Sequence, residues 1–563
     1  MIQSIDYWAI AAPLILALTS GLVLVLDVFL PNRAGVSRAV LGLVSLVGVL
    51  AALGVVVAQA VRGDELRTFC VPGAAESCSF VMDSFTVIFA GLTLVAGVVV
   101  VLLSMAELAG GRIPVGEWYF LLLATLTGAV LLPAARDLVM LVVALELVSL
   151  PVFALTALRR YDGRASEASL KLFVVSVVST AVMLFGVSLL YGMTGAVHLD
   201  RLAAALRPTY SYSSSALTSQ PVLVQHLEST GAVLHDGSAV VTVGVVLVVA
   251  GFAFKVAAVP FHFWAGDVYE GAPVPVAALL SVVSKAAGFA GLILVLSHAL
   301  FSEAATWTPL VAIIAALTMT VGNVLALRQR HAVRMLAWSS VAQSGYILAP
   351  LAVHVDIVAL MNRMSGPAAV GNPVVTPDTA PAVAESGASV ISKSQAIELS
   401  GDVGMFWAAN ASIAYLVFYA AMNLLAFAVV MLISRRHARN QLDDYRGLAY
   451  RSPGAAISLA FALICLAGLP PGLAGLFAKV VVFREIVAGG LGWLAIVMAV
   501  NTVIGLYYYL AWTARLFTPA PAGESRTVTE ERGRTPVVIA IGAALLLTVA
   551  FSVAPQLVLG TLA

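Results

Sequence analysis

The sequence predicts an all-α polytopic membrane protein of about fourteen transmembrane helices, and three observations carry that prediction. Of 563 residues, 61% are hydrophobic and only 10% are charged, where a soluble domain carries about 25% charged residues. Apolar runs of about 20 residues, the length that crosses ~30 Å of hydrocarbon, recur along the whole chain. Arginines gather in alternate connections between those runs.

In chain order the runs fall at 7–30, 36–61, 83–106, 117–135, 137–158, 168–194, 238–261, 272–299, 308–327, 335–353, 405–433, 454–486, 490–516 and 536–559. The first, entered from "MIQSIDYWAI", lacks a basic leader and is too long for the apolar core of a signal peptide, so it reads as a retained helix. With the N-terminus outside, eighteen arginines lie on inner loops, Arg33, Arg112, Arg160, Arg435, Arg526 and Arg532 among them. Six arginines, Arg207 and Arg363 included, and Lys393 lie on outer ones. This positive-inside bias places both termini on the outer side. Stretches 196–237 and 354–404, rich in Ser, Thr, Pro, Gly and Ala, read as outer loops, with a short helix around 200–206. The chain divides into a three-helix segment (1–116), units at 117–300 and 301–517, the second holding the 354–404 loop, and an inner loop with a last helix (518–563).

Several functions are excluded by what the chain lacks. No GxxxxGK[ST] phosphate cradle occurs, so ATP-driven transport is not expected. Three cysteines are too few to hold a cysteine-ligated iron–sulfur cluster, and no CxxCH marks a covalent haem. Cys70 and Cys78 share an outer loop, as a disulfide or as two free thiols, and Cys465 reads as a small apolar residue. A net charge of +1 argues neither for nor against nucleic acid, and none is expected as a partner of a membrane-embedded chain.

Lysine usage is the most informative feature. Of thirty basic residues only five are lysine, and three of these, Lys255, Lys285 and Lys479, sit inside apolar runs. Arginine does not deprotonate, whereas a buried lysine can. Glu146 lies mid-run in "DLVMLVVALELVSLPVFAL", and a buried carboxylate needs a partner; Lys255 is the candidate. Lys255 and Lys479 could instead snorkel to the surfaces, and the Glu146–Lys255 pair could be a static lock between helices. Lys285, thirteen or more residues from either end of its run, is too deep to snorkel. Intramembrane ionisable residues mark ion pathways by default.

Prolines accompany the charges. Pro260 removes a hydrogen bond to the carbonyl of Val256, and Pro151 one to that of Leu147, so breaks are expected beside Lys255 and Glu146. In "LAGLPPGLAGLFAK" the order reverses, with Pro470 and Pro471 preceding Lys479. Segments seven and twelve run in opposite directions, which suggests inverted repeats, segments four to eight against nine to thirteen. Ser176, Ser179, Thr180, Ser281 and Ser284 could hold waters or only permit close packing. His262 and Asp267 could line an inner mouth.

At these residues the chain resembles a known family. "FKVAAVPFHFWAGDVYEGAPVPVAALLSVVSK" (254–285) is similar to the signature of the antiporter-like membrane subunits of respiratory complex I, NADH-quinone oxidoreductase. "LVVALELVSLPVFAL", "SEASLKLF", "YGMTG", "RMLAWSSVAQSGY", "YLVFYAAMNLLAF", "LAGLPPGLAGLFAK" and "NTVIGLYYYL" follow in the family's order, over about residues 80–517. Within the family, a lysine at position 479 and no long lateral helix after segment fourteen separate this chain from two other subunit types. Gln343 stands where histidine is common.

The resemblance implies two inverted five-helix units with broken helices seven and twelve, and proton translocation coupled to NADH oxidation and quinone reduction. Glu146 and Lys255 would be the coupling pair, Lys285 the central relay and Lys479 the outlet. It implies no cofactor in this chain, with NADH, FMN, iron–sulfur clusters and quinone elsewhere in the complex. The partners would be the other membrane subunits, the lipid bilayer, protons and water, in a bacterial cell membrane. Making and breaking the Glu146–Lys255 pair would drive the proton: a swing of about 3 pKa units supplies ~4 kcal/mol, enough against roughly 180 mV. The alternatives are a subunit of an Mrp-type cation/proton antiporter, which shares the fold and the lysines, and a structural scaffold.

Overall fold

The computed structural model describes residues 5–30, 36–71, 77–111, 113–159, 161–206, 238–353, 393–437, 439–519 and 533–561. The inner-loop placements of Arg33, Arg112, Arg160, Arg526 and Arg532, the outer ones of Arg207 and Arg363, and most of both polar stretches lie outside the described residues. All fourteen apolar runs are helical. Runs one to six are α1 (Ala11–Phe29), α2 (Val36–Arg62), α3 (Ser84–Leu108), α4 (Val115–Leu131), α5 (Leu138–Ala157) and α6 (Gly163–Thr194). A short α7 (Leu199–Leu206) stands where the sequence placed one. Run seven is two pieces, α8 (Ala239–Lys255) and α9 (Trp264–Gly271); run eight is the continuous α10 (Val274–Ala299). Then come α11 (Ala304–Ala326), α12 (Ala332–Leu348) and α13 (Lys393–Ser434). Run twelve is again split, into α14 (Pro453–Ala467) and α15 (Leu473–Ala488), before α16 (Gly492–Phe517), α17 (Arg534–Val553) and α18 (Gln556–Leu559).

Polar side chains at the surfaces set where the helices begin. Asp83, Asp137 and Asp162 stand ahead of α3, α5 and α6 and accept from Thr86 N, Met140 N and Arg164 N at 2.9, 2.7 and 3.1 Å. Among the described residues eleven helices are long and apolar enough to span a membrane. The runs that fall short are the two broken ones and α12, whose interior holds Ser339, Ser340, Gln343 and Ser344.

Four expectations need correction. Helix seven does not reach residue 261: α8 stops at Lys255, and the chain is non-helical over 256–263, so Pro260 lies inside the break. No break follows Glu146, because α5 runs through Pro151 to Ala157. The outer stretch ends sooner than expected, α13 starting at Lys393, which puts that lysine on a helix. Residues 66–82 are not plain loop: β1 (Leu66–Cys70) pairs antiparallel with β2 (Cys78–Met82), and a Cys70–Cys78 disulfide closes the hairpin.

The hairpin is anchored where Arg136 meets Asp83 at 2.5 Å and donates to the carbonyls of Pro133 and Ala135. Burial would raise the Asp83 pKa, but Arg136 and the amide and hydroxyl of Thr86 outweigh it and hold the carboxyl below its usual value. The stability this contributes is full above the unfolded carboxylate pKa of about 3.9 and is lost as pH falls through the lower folded value. Asp83→Asn is therefore expected to lower the melting temperature at pH 7, with the gap to wild type closing on acidification to about pH 3. Parallel melting curves at pH 7 and in acid would refute this.

Burial distinguishes an axis from a periphery. In α10 and the 408–434 part of α13, 94% of the apolar window is enclosed by protein, against 28% in α6. Lys285 lies on that axis, in α10.

Candidate functional site

Lys255 is the last residue of α8, and its side chain is only 6% exposed. Its ammonium has three hydrogens and three partners: Glu146 Oε1 at 3.2 Å, Ser149 Oγ at 2.8 Å and Ser176 Oγ at 3.1 Å. Thr180 Oγ donates to the same Glu146 oxygen at 2.7 Å. The predicted pair is formed; α6 supplies two of its hydroxyls, Ser176 and Thr180, and α5 the third, Ser149. Glu146 is more open, 23% exposed, on a face of α5 it shares with the exposed Val139, Val143 and Leu150. Sequence reading missed Ser149, although a residue three positions after Glu146 on a helix must share its face.

The Val256 carbonyl, expected to be freed by Pro260, finds a partner on another helix. Among the described residues the Lys255 ammonium bonds only to side chains, and the Val256 carbonyl accepts from Ser344 Oγ at 2.7 Å. The end of α8 can approach α10 because residue 288 is glycine; a Cβ there would lie 3.1 Å from Val256 Cγ1. A π-turn at Leu280–Ser284 precedes Lys285, an insertion common at functional sites.

Lys285 is 1% exposed and pairs with no carboxylate among the described residues. Its Nζ donates to the Ser340 carbonyl and, at 2.7 Å, to Ser344 Oγ, both on α12. An ammonium held by neutral oxygens has no counter-ion fixing its charge.

Lys479 sits in α15 and reaches back across the second break. Its Nζ donates to the Leu466 and Ala467 carbonyls at 3.2 and 2.6 Å, at the end of α14, where unpaired carbonyls favour a cation. Gly468, at φ +82°, turns the chain there, and a Cβ on it would come 3.0 Å from the lysine side chain. The ammonium also stands 5.7 Å from the Tyr346 ring centroid.

Between Lys285 and Lys479 lies a buried polar seam that the sequence reading did not assign. Ser340 Oγ meets Tyr419 OH at 2.7 Å, Tyr415 OH donates to Gln343 Oε1 at 2.6 Å, and Gln343 Nε2 donates to Tyr509 OH at 3.2 Å. Tyr415 stacks on Tyr346, the ring beneath Lys479, with centroids 5.9 Å apart. A single face of α12, from Ser339 to Tyr346, thus reaches from one lysine to the other. The signal was present: Tyr415 and Tyr419, four apart in an apolar run, had to share a face.

The remaining candidates fall outside this line. Ser179 bonds to the Gly251 carbonyl at 3.4 Å and Ser281 to the Ala278 carbonyl at 2.8 Å, which fits packing; Ser284 ends the π-turn. Asp267 is partly exposed between Lys171, at 2.8 Å, and Arg334, at 3.1 Å, and the His262 ring lies edge-on to Trp338 at 5.7 Å.

Comparison with known proteins gives this arrangement its context. The profile of the family described as NADH:quinone oxidoreductase/Mrp antiporter, TM, matches residues 135–365 and 399–505. NADH-quinone oxidoreductase subunit N 2 of Streptomyces griseus subsp. griseus is 45% identical over 532 residues, 94% of this chain and 85% of that protein. NADH-quinone oxidoreductase subunit N of Salinispora tropica is 42% identical over 526 residues, 93% of this chain and 87% of that one. Among solved structures, a chain of respiratory complex I from Thermus thermophilus superposes with a TM-score of 0.68 at 25% identity, over 98% of this chain and 99% of that one. A chain of the Mrp complex from Dietzia sp. DQ12-45-1b has a TM-score of 0.71 at 20% identity, covers 97% of this chain and 95% of its own, and shares the fold.

Proposed function

This chain belongs to the NADH:quinone oxidoreductase/Mrp antiporter family, in its NADH-quinone oxidoreductase subunit N group, and from that premise we propose how it acts. It is an antiporter-like, proton-translocating subunit of the membrane arm of complex I, and its enzymatic role is that of a part of this translocase. The residues that carry the proton are Glu146, Lys255, Lys285 and Lys479. The observation that carries this assignment is the buried polar line from the Glu146–Lys255 pair through Lys285 and the tyrosine seam to Lys479.

Redox chemistry takes place in other subunits, which hold the flavin, the iron–sulfur clusters and the quinone site. Its effect here is to separate Glu146 from Lys255. Leaving one member of a buried pair without its partner costs about 3–5 kcal/mol. Moving one charge against 100 mV costs ~2.3 kcal/mol, so that penalty suffices to expel a proton. The open edge of Glu146, on an otherwise apolar face of α5, supports a neighbouring membrane subunit as the agent. Residues 117–300 and 301–517 form the two inverted units; the fourth helix of each is the broken one, and each break has a lysine at it. Both termini face the outside of a bacterial cell membrane, a reading the Cys70–Cys78 disulfide supports, since such bonds persist in oxidising compartments.

Purified through a tag on this chain, the assembled complex is expected to oxidise NADH and, in sealed vesicles, to move protons only while NADH is consumed. Proton movement that needs a sodium gradient and ignores NADH would instead establish the Mrp-type reading, which the shared fold keeps as the second candidate.

A further inference from the structure

We propose that Ser344 is the positioning residue through which Lys285 reads the state of the helix break beside Lys255; this rests on the proton-translocating reading above. Ser344 is fully buried on α12 and joins three groups. Its Oγ–H donates to the Val256 carbonyl at 2.7 Å, its oxygen accepts from Lys285 Nζ at 2.7 Å, and its own i−4 carbonyl, that of Ser340, lies 3.2 Å away. Lys285 donates to that same Ser340 carbonyl.

A helical serine with no better acceptor bonds to its i−4 carbonyl. Ser149, Ser297 and Ser458 do so at 2.8, 2.6 and 2.8 Å. Ser344 keeps only a longer contact, 3.2 Å, to that carbonyl, because a carbonyl in the break after α8 draws its hydroxyl away. The acceptor, Val256, follows Lys255 directly and lies past the end of α8, and helix resumes only at Trp264. Consecutive Cα atoms are about 3.8 Å apart, so Lys255 cannot shift far without carrying this carbonyl with it.

The hydroxyl has one proton to place. While the Val256 carbonyl takes it, the oxygen's lone pair faces Lys285 and the Ser340 carbonyl is left to the lysine. Both partners then accept, an arrangement that favours the ammonium. When separation of Glu146 from Lys255 moves the Val256 carbonyl away, the Ser344 hydroxyl turns back to the Ser340 carbonyl and competes with Lys285 for it. The lysine loses part of its acceptor set and releases its proton more readily. The state of the pair thereby reaches Lys285 through one rotating hydroxyl, before any proton has crossed.

The test uses inverted vesicles carrying the assembled complex with Ser344→Ala, Ser344→Thr or Lys285→Ala, reading NADH oxidation, proton uptake and complex content. Ser344→Ala is expected to lower protons moved per NADH at least twofold at unchanged complex content, and Ser344→Thr, which keeps the hydroxyl, to recover most of the wild-type ratio. A wild-type ratio in Ser344→Ala beside a defective Lys285→Ala overturns the role of Ser344 and leaves the reading of the chain standing. A threonine variant as defective as alanine overturns it too, because the hydroxyl would then not be the determinant. A wild-type ratio in Lys285→Ala overturns the underlying reading itself.

Discussion

Lys255→Ala is expected to reduce NADH-driven proton translocation at least fivefold in membranes that still contain the assembled complex. The substitution removes the only cation among the described residues within salt-bridge reach of Glu146 and strips Ser149 and Ser176 of their donor. Two effects combine and can be separated. One is loss of the switching group; the other is a carboxylate left with Thr180 alone in a site only 23% open, a penalty of about 3–5 kcal/mol for a buried charge without its partner. Adding Glu146→Gln to Lys255→Ala removes that stranded charge while leaving the switch absent. The double variant should therefore regain complex content but not pumping. Recovery of pumping in the double variant, or an unchanged proton yield per NADH in the single one, would show that the pair is a structural lock.

Lys285→Ala is expected to lower proton translocation by a similar factor, with little loss of assembled complex. The contrast with Lys255 follows from the partners. Lys285 is bound by a carbonyl and a hydroxyl and pairs with no carboxylate among the described residues, so its removal strands no charge. What remains is a cavity the size of a lysine stem, a cost in the range of about 2–5 kcal/mol spread over a large core. Proton uptake per NADH, normalised to complex content, is the measurement. A collapse in complex content with a normal ratio in the surviving fraction would mean that Lys285 only packs.

Much of the site was legible in the sequence because membrane insertion makes charge expensive. A lysine or glutamate inside an apolar run has few explanations, so Glu146, Lys255, Lys285 and Lys479 stand out one at a time. The spans are equally legible, since each must supply about 20 apolar residues without regard to its neighbours. The hairpin at 66–82 was not legible, because two five-residue strands leave too short a pattern beside a polar loop. Nor was the seam between Lys285 and Lys479: Tyr415, Tyr419 and Tyr509 count as membrane-compatible aromatics until their hydroxyls are placed.

Pro151 and Pro260 mark the boundary between the two kinds of knowledge. Both follow a buried charge by five residues, yet α5 continues through one and the chain leaves the helix before the other. Local chemistry states only that each proline withholds a hydrogen bond. Whether the helix breaks depends on what else can take the freed groups: beside Pro260, Ser344 from α12 accepts the role of donor to the Val256 carbonyl, and Thr318 bonds to the Val259 amide at 2.9 Å. By itself the sequence determined how many helices cross the membrane, which charges they carry and that the charges needed partners. The sequence also proposed Glu146 for Lys255; tertiary structure alone decided the other partners, hydroxyls for Lys255, α12 for Lys285 and the open end of α14 for Lys479. Insertion is settled helix by helix against lipid, whereas a hydrogen bond between helices exists only after they have packed.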